Sequence, residues 1–231
     1  MIDLAQRVRS DERMDDPDLD PAVYAAVLKD LARVNAWTFT HRATLAFLDE
    51  AAAGMSALRL LDVGFGQGDM LRAIAKWARR RGIAVDLVGV DLNPNSAAAA
   101  RAVTPAGLPI DYRTGDYAEV PGPFDFVVSS LVAHHMSDDQ LDAFLRFMEA
   151  EARAGWLVND LHRLAFSYHG FGLLARAIGA HPIVRADGRT SIARSFRPGD
   201  WRAILDRAGL PEGTARIVRR FPFRLCIERR R

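Results

Sequence analysis

Three glycines and one acid stand out as residues whose spacing could hold a ligand. The run Leu60-Leu61-Asp62-Val63-Gly64-Phe65-Gly66-Gln67-Gly68-Asp69 carries a short apolar strand through a glycine-rich turn into an amphipathic helix. Glycine tolerates positive φ and lets a ligand come close to the backbone. The first turn of the helix behind it has free N–H groups that suit a polar ligand. The spacing is Gly-x-Gly-x-Gly at 64, 66 and 68, not the Gly-x-Gly-x-x-Gly of dinucleotide-binding turns. A second apolar strand ends in Asp91, about twenty residues further on, where a ribose-binding acid belongs.

Histidine is the side chain best suited to take a proton near neutral pH. His134 and His135 follow the fourth expected strand and His162 follows the fifth. Both strand ends lie at the carboxyl edge of the sheet, where open α/β sheets bind ligands. His135 and His162 are therefore the candidate bases. A His-His pair before a capping serine also serves as a plain loop feature, so geometry has to decide.

The elements that would position these groups are readable from periodicity. Strands are expected at 59–63, 85–90, 110–114, 124–129 and 155–159, with helices at 69–81, 94–103 and 138–152 between them. This alternation marks a parallel sheet covered on both faces. Asn93-Pro94 and Ser137-Asp138-Asp139-Gln140 are helix starts. Before the sheet come an arm of about twenty residues and helices at 21–37 and 39–53. After it come a helix at 164–178, a polar, arginine-rich loop at 181–195 and a helix at 198–208. A hairpin of strands at 215–220 and 223–229 closes the chain.

With 231 residues, 49% hydrophobic and 26% charged, the chain is long enough for a substantial core. No apolar run approaches the roughly twenty residues needed to span a bilayer. Residues 1–13 are charged and lack an apolar signal core, so a cytoplasmic protein is expected. The single cysteine, Cys226, excludes an internal disulfide and reads as a buried small hydrophobe. Residues 11–20 are acidic and residues 216–231 arginine-rich. Such a basic end suits a peripheral membrane contact or a solvated strand edge. No nucleic-acid partner is expected, because no aromatic-interleaved basic motif accompanies it.

In three pieces taken in order, the chain resembles class I S-adenosylmethionine-dependent methyltransferases: Leu61 to Gly68, Gly89-Val90-Asp91-Leu92-Asn93, and Gly115-Asp116-Tyr117. Phe124 to Ser130 matches the family's fourth strand, and the resemblance covers residues 58–229. It implies an α/β, Rossmann-like, seven-stranded and mostly parallel sheet with helices on both faces and an antiparallel last strand. An N-terminal arm and helical cap would occupy 1–57 and the methyltransferase domain 58–231, with a helical insert at about 164–195. The implied cofactor is S-adenosylmethionine, with S-adenosylhomocysteine as product. Asp62, Gly64, Phe65, Gly66, Gly68, Asp91, Leu92, Asp116, Tyr117 and Ser130 would hold it: glycines near methionine and ribose, Asp62 at the turn or the amine, Asp91 on both ribose hydroxyls, Leu92 and Asp116 at adenine. Phe65 departs from the small or polar residue usual there and would add an apolar wall.

The resemblance further implies a small-molecule acceptor, aromatic or phenolic, with transfer to oxygen favoured, as in bacterial polyketide and quinone pathways. Trp37, His134, Phe166, Tyr168 and Arg194 are the candidate acceptor residues. No metal is expected: Asp160 lies beside His162, but no second carboxylate is placed with it. Two other readings are a cofactor-binding scaffold without catalysis and an RNA or protein methyltransferase. A cavity plugged by Trp37 or Phe166 would favour the scaffold. Ser129-Ser130-Leu131-Val132, where an Asn-Pro-Pro-Tyr-type amine motif would stand, lowers exocyclic amines as acceptors. The oligomeric state is not legible.

Overall fold

The computed structural model of the protein describes residues 3–231; Met1 and Ile2, at the start of the expected arm, lie outside them. Seven strands form one sheet in the order β3-β2-β1-β4-β5-β7-β6. They are β1 Ala57–Val63, β2 Ala84–Asp91, β3 Ile110–Thr114, β4 Phe124–Ser130, β5 Ala152–Leu161, β6 Arg216–Arg220 and β7 Arg224–Arg230. The first five pair in parallel, while β7 runs antiparallel between β5 and β6. The expected Rossmann-like sheet is present with its antiparallel last strand.

Residues 60, 61, 63, 87, 88, 90 and 126–128 are all deeply buried, because both faces of the sheet are covered. Leu61, Val88, Val90, Val127, Trp156 and Val158 point to one core with helices α5 (Asp138–Glu151) and α8 (Pro198–Arg207). Leu60, Leu87, Phe126, Val128 and Leu157 point to the other, with α2 (Thr40–Ala51), α3 (Asp69–Arg81) and α4 (Pro94–Val103). Helix α2 thus covers the sheet itself. Helix α1 (Pro21–Trp37) packs its Val27 and Val34 with Ala175 of α6 (Ala165–Ala177) and Val184 of α7 (Pro182–Arg194).

Helix α7 is a correction, since a loop is expected at 181–195. Its start is built by Pro182 at the first helical position and by His181 Nδ1, which accepts the Ile183 N–H at 3.3 Å. Its buried face carries Asp187, Ser191 and Arg194 as well as Val184 and Ile192. A helix that buries polar side chains has no clean apolar period, so periodicity missed it. Strand β5 is also longer than the expected 155–159 at both ends.

Three strands stop level with one another. Val63 pairs with Val90 on one side and Ser129 on the other, so the ends of β1, β2 and β4 share one rim. The chain order reverses between β1 and β4, and the crevice there is where such sheets take ligands. The arginine-rich end is internally paired: Arg216 and Arg220 reach Glu228 at 2.6 and 2.8 Å, and Arg231 reaches Glu149 at 2.7 Å. Among the described residues, no helix is long and apolar enough to cross a membrane.

Candidate active site

The bend after β1 is shaped by backbone that only glycine enters easily. Gly64, Gly66 and Gly68 have φ of 76°, 54° and 73°. A Cβ on Gly64 would collide with the Val132 side chain, and one on Gly68 with the Tyr112 ring. The Gly66 N–H donates to Asp91 Oδ2 at 2.9 Å, and the Asn93 N–H donates to Oδ1 at 2.9 Å. These bonds tie the bend to the end of β2 and fix the carboxylate. Each oxygen keeps a further acceptor site. Burial raises the Asp91 pKa against these hydrogen bonds.

Asp62, one residue before Val63, is the most exposed to electrostatic conflict. It is fully buried, and its Oδ2 has no hydrogen-bond partner among the described residues. Burial, then the Asp69 and Asp91 carboxylates, push its pKa up to about 8. An unpaired buried carboxyl oxygen is costly unless something binds it. Asp69 is better provided: burial raises its pKa, but His41 Nε2 at 2.8 Å and Asn35 Nδ2 at 3.2 Å outweigh that and hold it low.

From Asp69 a polar chain crosses to β7. Asn35 Oδ1 accepts from Thr40 Oγ1 at 3.4 Å, and Thr40 Oγ1 accepts from Arg224 Nη2. Arg224 is buried, with its Nε and Nη1 unpartnered among the described residues. Burial lowers its pKa to about 10. Asp62, Asp91 and Arg224 all line one cavity of about 780 Å³.

The same cavity holds the histidines. Leu131, after β4, takes a left-handed φ of 62°, strain of the kind that gathers at functional sites. A short 3-10 turn, Ala133–His135, follows. The Asp160 carboxylate accepts the His134 N–H at 3.0 Å through Oδ2 and the ring Nδ1–H at 2.7 Å through Oδ1. Burial raises the Asp160 pKa, but the contact with His134 overrides it and keeps the acid ionised. His135 Nδ1 donates to Asp15 Oδ2 at 2.9 Å.

The arm supplies residues that sequence reasoning missed. Glu12 is 4% exposed, although it lies in a segment that reads as a solvated acidic run. It accepts from Ser191 Oγ at 2.9 Å and faces His134 Nε2 at 3.7 Å, His135 Nε2 at 3.8 Å and Arg194 Nη1 at 3.8 Å. Burial pushes its pKa up to about 7, against His135 and Ser191. Asp187 accepts the Arg13 and Met14 N–H groups and anchors the arm. No local signal marks Glu12, because its burial depends on α7, itself missed.

The structure brings most of the expected residues together. Asp62, Gly64, Phe65, Gly66, Asp91, Leu92, Tyr117, Ser130, His134, His135 and Arg194 line the cavity. Others lie off its wall. Gly68 is the N-cap of α3. Asp116 is exposed and its carboxylate accepts the Ala118 N–H, while Gly115 and Tyr117 line the cavity beside it. Trp37 is 64% and Phe166 72% exposed, the latter with its ring tilted against Phe223. Tyr168 is buried under Arg189, away from the cavity wall. His162 bridges to Phe196, and burial, then Arg219, Arg197 and Arg163, lower its pKa. It does not line the cavity either.

Residues 60–155 match the model of a family described as a methyltransferase domain. A curated relative, the ribosomal protein L11 methyltransferase of Geobacter metallireducens, is 26% identical over 177 residues. The match takes in 74% of this chain, which spans about half (51%) of that relative's length. Among solved structures, a SAM-dependent methyltransferase from Aquifex aeolicus is similar at 18% identity and a TM-score of 0.63, covering 92% of this chain and 98% of that one. Magnesium protoporphyrin IX methyltransferase from Synechocystis PCC 6803, solved with bound S-adenosylhomocysteine, aligns at 20% identity and a TM-score of 0.55, covering 84% and 82%. The family match takes in the glycine bend at 64–68 and Asp91, and the solved structures share the fold of this chain.

Proposed function

We propose that the protein transfers the methyl group of S-adenosylmethionine to a small aromatic or phenolic acceptor, at oxygen. One observation carries the reading: a glycine bend, a tethered acid and an unpartnered buried carboxyl oxygen line the same cavity as an anchored histidine pair. When bound, S-adenosylmethionine supplies a methyl group on a sulfonium. The residues present fit it. The free Asp62 Oδ2 suits the methionine ammonium, and the unpaired Arg224 N–H groups suit the methionine carboxylate. Asp91 keeps acceptor capacity for the two ribose hydroxyls. Leu92, 75% exposed on the rim, is available to cover adenine, with Tyr117 beside it.

The acceptor end is apolar where it needs to be. Leu31, Met136, Leu161, Phe171, Val184 and Ile192 line the cavity with the histidines. Such walls with a few convergent polar groups suit a small apolar ligand carrying one reactive oxygen. In-line transfer chiefly needs the two reacting atoms held in alignment, together with removal of the acceptor's proton. That proton goes to the Glu12–His134–His135 group; His162 lies outside the cavity wall, and the ring of His41, which lines it, is held by Asp69 at 2.8 Å. The magnesium protoporphyrin IX named for the Synechocystis relative is likewise a small molecule. Neither Trp37 nor Phe166 plugs the cavity, which favours catalysis over a scaffold.

The experiment is calorimetry with S-adenosylhomocysteine and NAD, followed by assay of a phenol panel for methyl ethers. Binding of the homocysteine nucleoside with turnover of a phenol is expected. Tight NAD binding with no response to the nucleoside would end the reading. A protein acceptor, as the Geobacter relative's name has it, would show as labelling of ribosomal protein with no turnover of phenols.

A further inference from the structure

Glu12, His134 and His135 come from two distant parts of the chain, yet their ligand-type atoms all lie within 4.8 Å of one another. The two rings are held in the same way. Each Nδ1 is committed to a carboxylate, Asp160 for His134 at 2.7 Å and Asp15 for His135 at 2.9 Å. Each therefore presents Nε2, with its lone pair, to Glu12 Oε1, at 3.7 and 3.8 Å. Those separations are longer than hydrogen bonds. His134 is 3% exposed and its Nε2 has no partner among the described residues. A buried ring nitrogen aimed at a carboxylate without bonding it is a position prepared for something between them.

We infer that Glu12, His134 and His135 bind one divalent first-row transition metal ion, of the Zn²⁺, Fe²⁺ or Mn²⁺ type, on the wall of the acceptor cavity. Two imidazoles and one carboxylate form a ligand set that leaves positions open to water or substrate oxygen. A ligating histidine usually gives its other N–H to a carboxylate, which fixes the tautomer and raises ligand basicity; here both histidines do so. Ligands about 2.1 Å from a tetrahedral ion stand roughly 3.4 Å apart, so the two spacings from Glu12 need to close by only a few tenths of an ångström, and the two ring nitrogens lie within 4.8 Å of each other. The nearby charge also favours a cation. Glu12, Asp15 and Asp160 supply three carboxylates against two guanidiniums: Arg194, spread over the His134 and His135 carbonyls and Asp15, and Arg7, which donates to the same His134 carbonyl at 3.3 Å.

Burial lets such an ion interact strongly with its ligands, and Glu12 would bind it only once the arm has folded over α7. With Glu12, His134 and His135 taken up as its ligands, the metal would hold the acceptor's oxygen and ease loss of its proton to solvent water, in place of transfer to the histidines. That role rests on the methyl-transfer reading, whereas the ion site itself does not.

The test uses the full-length, tag-free protein and two probes, Zn²⁺ by calorimetry and Co²⁺ by visible absorption. The expected result is one ion per chain, with a d–d spectrum for Co²⁺. His135→Gln and Glu12→Gln should each weaken Zn²⁺ at least tenfold. His169→Gln, which removes a histidine away from the cluster, should leave it unchanged. If Glu12→Gln does not fold, the half-buried His135→Gln carries the comparison. No stoichiometric ion in the wild type, or an ion equally bound by His135→Gln, overturns the proposal. S-adenosylhomocysteine binding is measured on the same samples. Its loss would end the methyl-transfer reading while leaving the ion site standing, and its retention without metal binding would do the reverse.

Discussion

Replacing Asp62 with asparagine should stabilise the free protein at high pH and weaken its hold on the cofactor. The carboxyl is fully buried, lacks a partner at Oδ2 and has its pKa pushed up to about 8 by burial, then by Asp69 and Asp91. An unfolded aspartate titrates at about 3.9. The folded state therefore holds this proton more tightly than the unfolded one. Its stabilising contribution is complete below about pH 4 and is lost as the pH rises through about 8. Asparagine has no proton to lose, so the gap in melting temperature should widen in the variant's favour across that window and level off above it.

Binding should move the other way. At pH 7 a group with a pKa of about 8 is ionised in roughly one molecule in ten, and ionising the rest costs about 1.4 kcal/mol. The charged hydrogen bond then made to the ligand ammonium contributes about 1.5–3 kcal/mol. Wild type should therefore release close to one proton more than Asp62→Asn on binding S-adenosylhomocysteine at pH 7. The variant should lose roughly tenfold or more in affinity above pH 8, where the wild-type carboxylate is already charged. Calorimetry in buffers of different ionisation enthalpy counts the protons, and thermal melts from pH 4 to 9 follow stability. Equal proton counts in the two proteins, or a variant that loses ground as the pH rises, would refute the reasoning.

Arg224→Met should cost about 1.5–3 kcal/mol in S-adenosylhomocysteine affinity but leave methylthioadenosine, which lacks the amino acid, unaffected; equal losses for both ligands would misplace Arg224. Asp91→Ala should weaken both ligands by about 1–3 kcal/mol, since each carries the ribose and the Gly66 and Asn93 N–H groups lose their acceptor. Gly64→Ala, at a φ of 76° and against Val132, should destabilise the fold by about 1–2 kcal/mol in urea and reduce nucleoside binding; an unchanged midpoint would contradict the packing of the bend. Arg163 holds the arm through the Leu4 and Ala5 carbonyls at 3.0 and 3.2 Å. Arg163→Met should speed hydrogen exchange at residues 5–15 before the rest of the domain, and uniform protection would exclude that anchoring role.

The nucleoside end of the site could be read from local order alone. Gly64, Gly66 and Gly68 interrupt an apolar strand, and Asp91 ends the next one. Strand ends in a parallel sheet come level because the register pairs Val63 with Val90. Alternation likewise announced the sheet, since strands buried on both faces and the helices between them each have a distinct period. The acceptor end was not legible in the same way. His134 and His162 look equivalent in sequence, each after a strand. Only packing gives His134 the Asp160 carboxylate and sets His162 in a backbone bridge to Phe196, off the cavity wall. Trp37 and Phe166 have the composition of a pocket but lie outside it, because aromatic character says nothing about which way a helix faces.

Glu12 is the clearest case. Its neighbours are acidic and read as solvated, and its partners His134, Ser191 and Arg194 lie more than a hundred residues away. Contacts of that kind exist only once α7 has folded, and α7 hides its period by burying Asp187, Ser191 and Arg194. Short-range pattern therefore wrote the cradle for the nucleoside, whereas long-range burial of polar groups chose what surrounds the reacting atom.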